Sequence, residues 1–211
     1  MEGNCLVSLL AIKHNIMKKA FTLIVVSLLA ALSLSACNSN KSEAKKIETN
    51  KKILVAYFSW SGNTREAAKY IAERLGADTF EIVREKPYST DYEPCTEEAK
   101  AEKEAGERPA IKGKVDNMAQ YDVVIVAVPV WWYTAPMPVY TFLESYDFKG
   151  KTVIPFCTAY SGPSSTLDDI VKATLGSDHR DGICVVTQEM GGKDMDKKHG
   201  EIDKWLESID F

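Results

Sequence analysis

The chain has 211 residues, 45% of them hydrophobic and 27% charged, an ordinary globular make-up with enough length for one good core. Its formal charge is −4, and because the first 36 residues hold Lys13, Lys18 and Lys19 against Glu2, the remainder carries −6. An acidic domain argues against nucleic acid as a partner, since that recognition needs a basic face.

Met17-Lys18-Lys19 followed by AFTLIVVSLLAALSLSAC reads as a basic n-region, an apolar h-region and a small-residue cleavage site, so residues 1–36 are expected to form an export signal. Its end, Leu34-Ser35-Ala36-Cys37, resembles a bacterial lipobox, in which the cysteine is acylated by diacylglycerol and becomes the mature N-terminus. A plain signal peptide with an incidental cysteine and an uncleaved transmembrane helix are the competing readings. The apolar run is short for a span, and the small residues sit where cleavage requires them. Residues 1–16 fit no role in this scheme, and an over-long start, with Met17 as initiator, is one reading of them. Residues 37–50 are then the lipidated N-terminus and a polar tether, which places the folded part, residues 51–211, outside the cytoplasm on a bacterial membrane.

Lys51 to Leu75 is expected to run strand, turn, helix. Ile53 to Phe58 is a continuous apolar run, the mark of a strand buried on both faces, and Ala67, Tyr70, Ile71 and Leu75 recur at helical spacing. Between them lies Ser59-Trp60-Ser61-Gly62-Asn63-Thr64. Hydroxyls and a glycine where a helix begins supply donors and unpaired backbone N–H groups, aimed in front of the helix dipole. In isolation such a run is a capped turn; after a first strand and at the head of a first helix it reads as an anion site. No P-loop lysine follows and no G-x-G-x-x-G is present, so the loop suits a phosphate monoester held by neutral donors.

Asp78 to Arg84 alternates apolar and polar side chains, as a sheet-edge strand does. Residues 85–118 are long for a loop, and TEEAKAEKEAG within them reads as a solvated helix ended by Gly106. Tyr88 and Tyr92 pack on their own loop or reach a neighbouring pocket. Tyr121 to Val128 is a central strand ended by Pro129. Trp131, Trp132 and Tyr133 follow at its carboxyl end, and because successive side chains of an extended loop point in different directions, a planar ligand explains them better than one core does. Pro138 to Ser145 is a helix and Lys151 to Cys157 the fourth strand, where Pro155 cannot donate to the ladder. Thr158 to Pro163 forms a third loop at the same end of the sheet. Ser164 to Leu175 is a helix, Gly182 to Thr187 the last strand, and Asp194 to Ile209 a closing helix with Ile202, Trp205, Leu206 and Ile209 inward.

Ser59 to Thr64 fits, position by position, the (Ser/Thr)-x-(Thr/Ser)-Gly-x-Thr phosphate loop of flavodoxins, and residues 51–211 resemble that family. The resemblance implies an α/β, flavodoxin-like three-layer sandwich: a five-stranded parallel sheet in order 2-1-3-4-5 with helices on both faces. It also implies an FMN site. Ser59, Trp60, Ser61, Gly62, Asn63 and Thr64 would form its phosphate loop. Pro129, Val130, Trp131, Trp132 and Tyr133, with Thr158, Ala159, Tyr160, Ser161 and Gly162, would frame the ring. In many flavodoxins a glycine-containing peptide of the second ring loop flips on reduction. Val130 to Thr134 holds no glycine, so bulky residues are expected to resist positive φ, to hinder the flip and to bring the two one-electron potentials close together.

The histidines are His14, His179 and His199, none expected beside a nucleophile, and no nucleophile elbow, zinc spacing or iron–sulfur spacing appears. Cys95, Cys157 and Cys184 lack a C-x-x-C spacing, and the last two read as inert buried thiols. The sequence thus offers no catalytic side chain, which suits a cofactor that carries its own redox chemistry. The expected function is a lipid-anchored FMN electron carrier serving redox proteins or small-molecule acceptors. An FMN-dependent NAD(P)H or quinone oxidoreductase, with residues 85–118 in its substrate pocket, is the first alternative. A binding lipoprotein that kept the fold without the flavin is the second.

Overall fold

The computed structural model describes residues 46–211, so the expected signal peptide, Cys37 and most of the tether lie outside the described residues. Ile53–Tyr57 (β1) is apolar throughout and buried throughout, because it lies between two other strands with helices above and below. Asn63–Leu75 (α1) follows and is stopped by Gly76, which takes φ 60° and returns its N–H to the last turn. Asp78–Glu81 (β2) then pairs parallel with β1.

The expected edge strand over 78–84 is interrupted. After the buried Ile82, Val83–Arg84 (β3) leaves the main sheet and pairs antiparallel with Ile111–Lys112 (β4). What draws it away is Tyr92–Ala105 (α2) in the insertion, whose Glu98 and Glu102 meet Arg84 at 2.7 and 2.6 Å while the guanidinium lies over the Tyr88 ring. The expectation of a simply solvated helix is therefore corrected: Cys95, Ala99 and Glu102 are buried, and the Tyr88 hydroxyl donates to Glu102.

The chain continues through Val123–Pro129 (β5), Met137–Glu144 (α3), Thr152–Ala159 (β6) and Thr166–Ala173 (α4). Asp178–His179 (β7), Ile183–Val186 (β8) and His199–Ser208 (α5) complete it, with a 3-10 turn at Met195–Lys198. All strands of the main sheet are parallel, in order β2-β1-β5-β6, with β7 and β8 both on the outer edge of β6. This is the 2-1-3-4-5 order with its fifth strand divided. Ile71, Ile202 and Leu206 of α1 and α5 cover one face against Val55, Ile125 and Phe156. Val139, Phe142 and Ile170 of α3 and α4 cover the other against Leu54 and Val126.

Pro155 explains the division. β7 pairs with Thr152 and Val153, and β8 with Phe156 to Ala159, so the break falls opposite Ile154 and Pro155, where the ladder lacks a donor. Gly182 crosses here so closely that a Cβ on it would sit 2.3 Å from the Pro155 carbonyl oxygen and 2.7 Å from its ring. Gly182→Ala is expected to lower stability by ~1–3 kcal/mol through overpacking, read as a reduced urea midpoint with unchanged slope.

Candidate functional site

β1, β5, β6 and β8 end at one side of the sheet, and a cleft of about 630 Å³ opens there. β1 and β5 are neighbours whose connections run to opposite sides, which makes this the point where strand order reverses. Of the residues lining the cleft, only Glu189 carries a formal charge.

The loop at the head of α1 presents neutral donors. Gly62 precedes the helix at φ 102° without a side-chain cap, and the N–H groups of Asn63, Thr64 and Arg65 have no partner among the described residues. Ser61 lines the cleft, and its hydroxyl has no partner among the described residues either. Trp60 and Asn63 line it too, whereas Ser59, Gly62 and Thr64 shape the loop from behind. The Ser59 hydroxyl accepts from the Gly62 N–H at 3.2 Å, and Thr64 shares a buried 2.8 Å hydrogen bond with Thr158. Asn63 faces elsewhere with both ends of its amide: Nδ2 donates to the Glu189 carbonyl at 2.7 Å, and Oδ1 accepts from the Gly192 N–H at 2.6 Å.

Those bonds reveal a loop that the sequence reading missed. Thr187, Gln188, Glu189 and Met190 line the cleft beside the loop at the head of α1. The signal was present, because β8 is parallel to the other strands and its exit must emerge at their carboxyl end. Gly191, at φ 80°, then passes so near that a Cβ on Gly62 would lie 3.4 Å from its backbone.

Pro129 to Tyr133 and Thr158 to Gly162 all line the cleft. Trp131 also packs inward, edge-on to Phe58 and Tyr88 with ring centroids at 5.3 and 5.1 Å. Tyr133 and Tyr160 stand 70% and 72% exposed at the rim. α2 contributes Tyr92, Cys95, Thr96 and Ala99, so of the two insertion tyrosines Tyr92 reaches the cleft while Tyr88 is buried under it.

The expectation that bulky residues resist positive φ here is overturned. Trp132 and Tyr133 take φ 48° and 73°, both left-handed, in a two-residue turn closed by paired bonds between Trp131 and Thr134 of 2.8 and 3.0 Å. Such a conformation costs about 1–2 kcal/mol per non-glycine residue and persists only where neighbours impose it. Here Lys103 Nζ donates to the Trp132 carbonyl at 2.8 Å, the Trp132 indole donates to the Thr96 carbonyl at 2.8 Å, and the Ser165 N–H donates to the Tyr133 carbonyl at 3.1 Å. The Ser165 hydroxyl lies 2.8 Å from the same carbonyl and 2.6 Å from Asp169 Oδ2, which also accepts from Thr134 at 2.7 Å.

Among the residues lining the cleft there is no histidine or lysine beside a hydroxyl or thiol. Burial pushes the Cys95 thiol up to about 11, away from the reactive thiolate. Cys157 is buried and Cys184, opposite it in register, only half-buried. His179 does have hydroxyls nearby, Thr174 at 2.9 Å and Ser177 at 3.1 Å, contrary to expectation. Both hydroxyls already donate to backbone carbonyls, and β7 lies beside the start of β6, at the end of the sheet opposite the cleft.

An open parallel sheet wound on both faces, with its cleft at the switch point and an uncapped helix N-terminus entering that cleft, defines a flavodoxin-like protein. The flavodoxin family model matches residues 52–209, and the chain belongs to that family. A protein from Bacteroides eggerthii DSM 20697, described as a flavoprotein, is 33% identical over 76% of this chain and 98% of its own, with a TM-score of 0.65. One from Bacteroides uniformis ATCC 8492 is 30% identical over 76% and 100%, with a TM-score of 0.63. A flavoprotein from Lactobacillus acidophilus NCFM, solved in complex with FMN, is 22% identical over 74% and 99% and shares the fold with a TM-score of 0.59. No curated protein matches. The cofactor of flavodoxins is FMN, and the residues present fit it: unclaimed neutral donors for a phosphate, and aromatic rings for a planar system.

Asp169 gives the turn a pH dependence. Burial alone would raise its pKa, but the bonds from Ser165, Thr134 and Lys172 outweigh burial and hold it below its ordinary value. A carboxylate depressed on folding contributes stability above its unfolded pKa of about 4 and loses it as pH falls through the folded value. The stability gap between wild type and Asp169→Asn, from urea unfolding, is expected to be widest near pH 7 and to shrink below about pH 4.

Proposed function

We propose that the chain is an FMN-dependent electron-transfer protein, held to the outer side of a bacterial membrane by a lipid on Cys37. The observation that carries the redox part is the cleft itself, which joins an uncapped helix N-terminus to a wall of aromatic rings and includes no acid–base pair. Bound FMN would supply the one- and two-electron chemistry. The chain's own task is to bind and shield. Ser61 and the first N–H groups of α1 hold the phosphate without a cation, while Trp60, Trp131, Trp132, Tyr133 and Tyr160 flank the ring and exclude water. Tyr133 and Tyr160 at the rim leave an edge that a redox protein or a small acceptor can approach.

A reductase acting on NAD(P)H or a quinone is the second reading, favoured by the four α2 residues that wall the cleft. Oxidation of NADH or NADPH by the flavin-loaded protein, with and without quinone, separates the two. A purified chain without flavin absorbance, and unable to take up added FMN, would sink both.

The phosphate assignment predicts a selective loss. Ser61→Ala should weaken FMN by ~1.5–3 kcal/mol, roughly 10- to 100-fold in Kd, and riboflavin far less, since riboflavin lacks the charge. Fluorescence titration of both flavins checks it, and equal losses count against the phosphate role. For the anchor, Cys37→Ser should abolish labelling by a fatty-acid analogue in cells and leave an unprocessed precursor, whereas persistent labelling removes the lipid from this cysteine.

A further inference from the structure

Among the residues lining the cleft, Trp132 and Tyr133 combine three properties that ordinary loop residues lack. Both are left-handed without being glycine, both have carbonyls held from outside the turn, and neither N–H has a partner among the described residues. The carbonyls are held from two different helices. Lys103 and Thr96 reach the turn from α2, in the insertion, and Ser165 reaches it from the head of α4. Ser164, beside Ser165, is itself left-handed at φ 49° and lines the cleft.

We propose that α2 is a clamp on the ring loop: Lys103 and Thr96 fix Trp132, and with Ser165 on Tyr133 they hold the turn in the one conformation that keeps two neighbouring backbone N–H groups unspent for a bound flavin. Residues 85–118 thereby gain a role, and Lys103 and Ser165 become positioning residues that need not touch the ligand. Chain conformation supports this. A two-residue turn with both φ values positive is the preference of Asn-Gly or Gly-Gly, and Trp-Tyr adopts it only under outside constraint. An exposed lysine on a carbonyl is ordinarily worth little, but here its acceptor belongs to a strained peptide, so losing it lets the turn relax. A relaxed turn redirects both N–H groups. The ligand then meets a loop that must be reordered on binding, and affinity falls by that amount.

The inference rests on the flavin reading, and its test keeps the two apart. In the full-length chain without flavin, Lys103→Met is expected to raise hydrogen exchange over residues 131–134 about tenfold, with the rest of the sheet unchanged. It should weaken FMN and riboflavin alike, by about tenfold each, since the turn serves the ring and not the phosphate. Lys103→Arg keeps a cationic donor and should restore both readouts most of the way. Ser165→Ala, which removes the hydroxyl lying between the Tyr133 carbonyl and Asp169 but leaves the backbone N–H on that carbonyl, should loosen the same segment to a smaller extent and serves if Lys103→Met does not fold. Unchanged exchange, a loosened turn with unchanged affinities, or a loss that arginine does not relieve overturns the clamp. A wild-type chain that binds no flavin overturns the functional reading, and the exchange measurement then decides the clamp by itself.

Discussion

Everything at the site follows from two strands lying side by side that the chain must leave in opposite directions. β1 and β5 are paired over five residues from Ile53↔Val123 to Tyr57↔Ala127, both nearly inaccessible to water, and both fixed by helices on the two faces of the sheet. From β1 the chain turns into α1 towards β2; from β5 it turns into α3 towards β6. Where neighbouring exits diverge, no connection can cover the strand ends, and a crevice opens between them. The fold supplies the crevice, and residue chemistry decides what it holds.

That chemistry divides the crevice by function without using charge. A cation would be the obvious partner for a phosphate, yet the lining contains none, and its single charged residue is acidic. A helix N-terminus can take its place, because the first N–H groups of a helix carry a fixed partial positive charge that needs no side-chain ordering. Asn63 shows how the arrangement is kept rigid. Both polar ends of its amide are committed to residues 189–192, so the loop that carries Ser61 is tied to the loop that follows β8. Two loop segments become one wall through two hydrogen bonds.

How much of this could be read from the chain depends on the range of the interaction concerned. The strands with continuous apolar runs, Ile53 to Phe58 and Tyr121 to Val128, were legible because burial on both faces writes itself into every residue. The turn from β1 into α1 was legible because its spacing is local. Pro155 was visibly awkward, but what it does, dividing the last strand at Gly182, depends on a residue 27 positions away. The loop over 187–192 could have been inferred from strand direction alone. The turn at Trp132 and Tyr133 could not, since intrinsic preference points the other way and only contacts from α2 and α4 reverse it.

The insertion helix shows how a partly buried charge cluster can determine geometry at a distance. Arg84 lies between Glu98 and Glu102, one helical turn apart on one side of α2, and the Tyr88 hydroxyl joins them. Ion pairs taken out of water contribute little net stability, because desolvation offsets most of their attraction, but breaking one is costly and their geometry is exacting. Such a cluster therefore acts on orientation more than on stability. With residues 98 and 102 fixed, the helical repeat leaves α2 no freedom in where positions 92, 95, 96, 99 and 103 fall, and these are the positions that meet the cleft or its turn. A slip of one residue would rotate Lys103 by about 100° away from the Trp132 carbonyl. The rotation of the helix is thus set by the charges that meet Arg84, and the conformation of the aromatic turn is set by the helix.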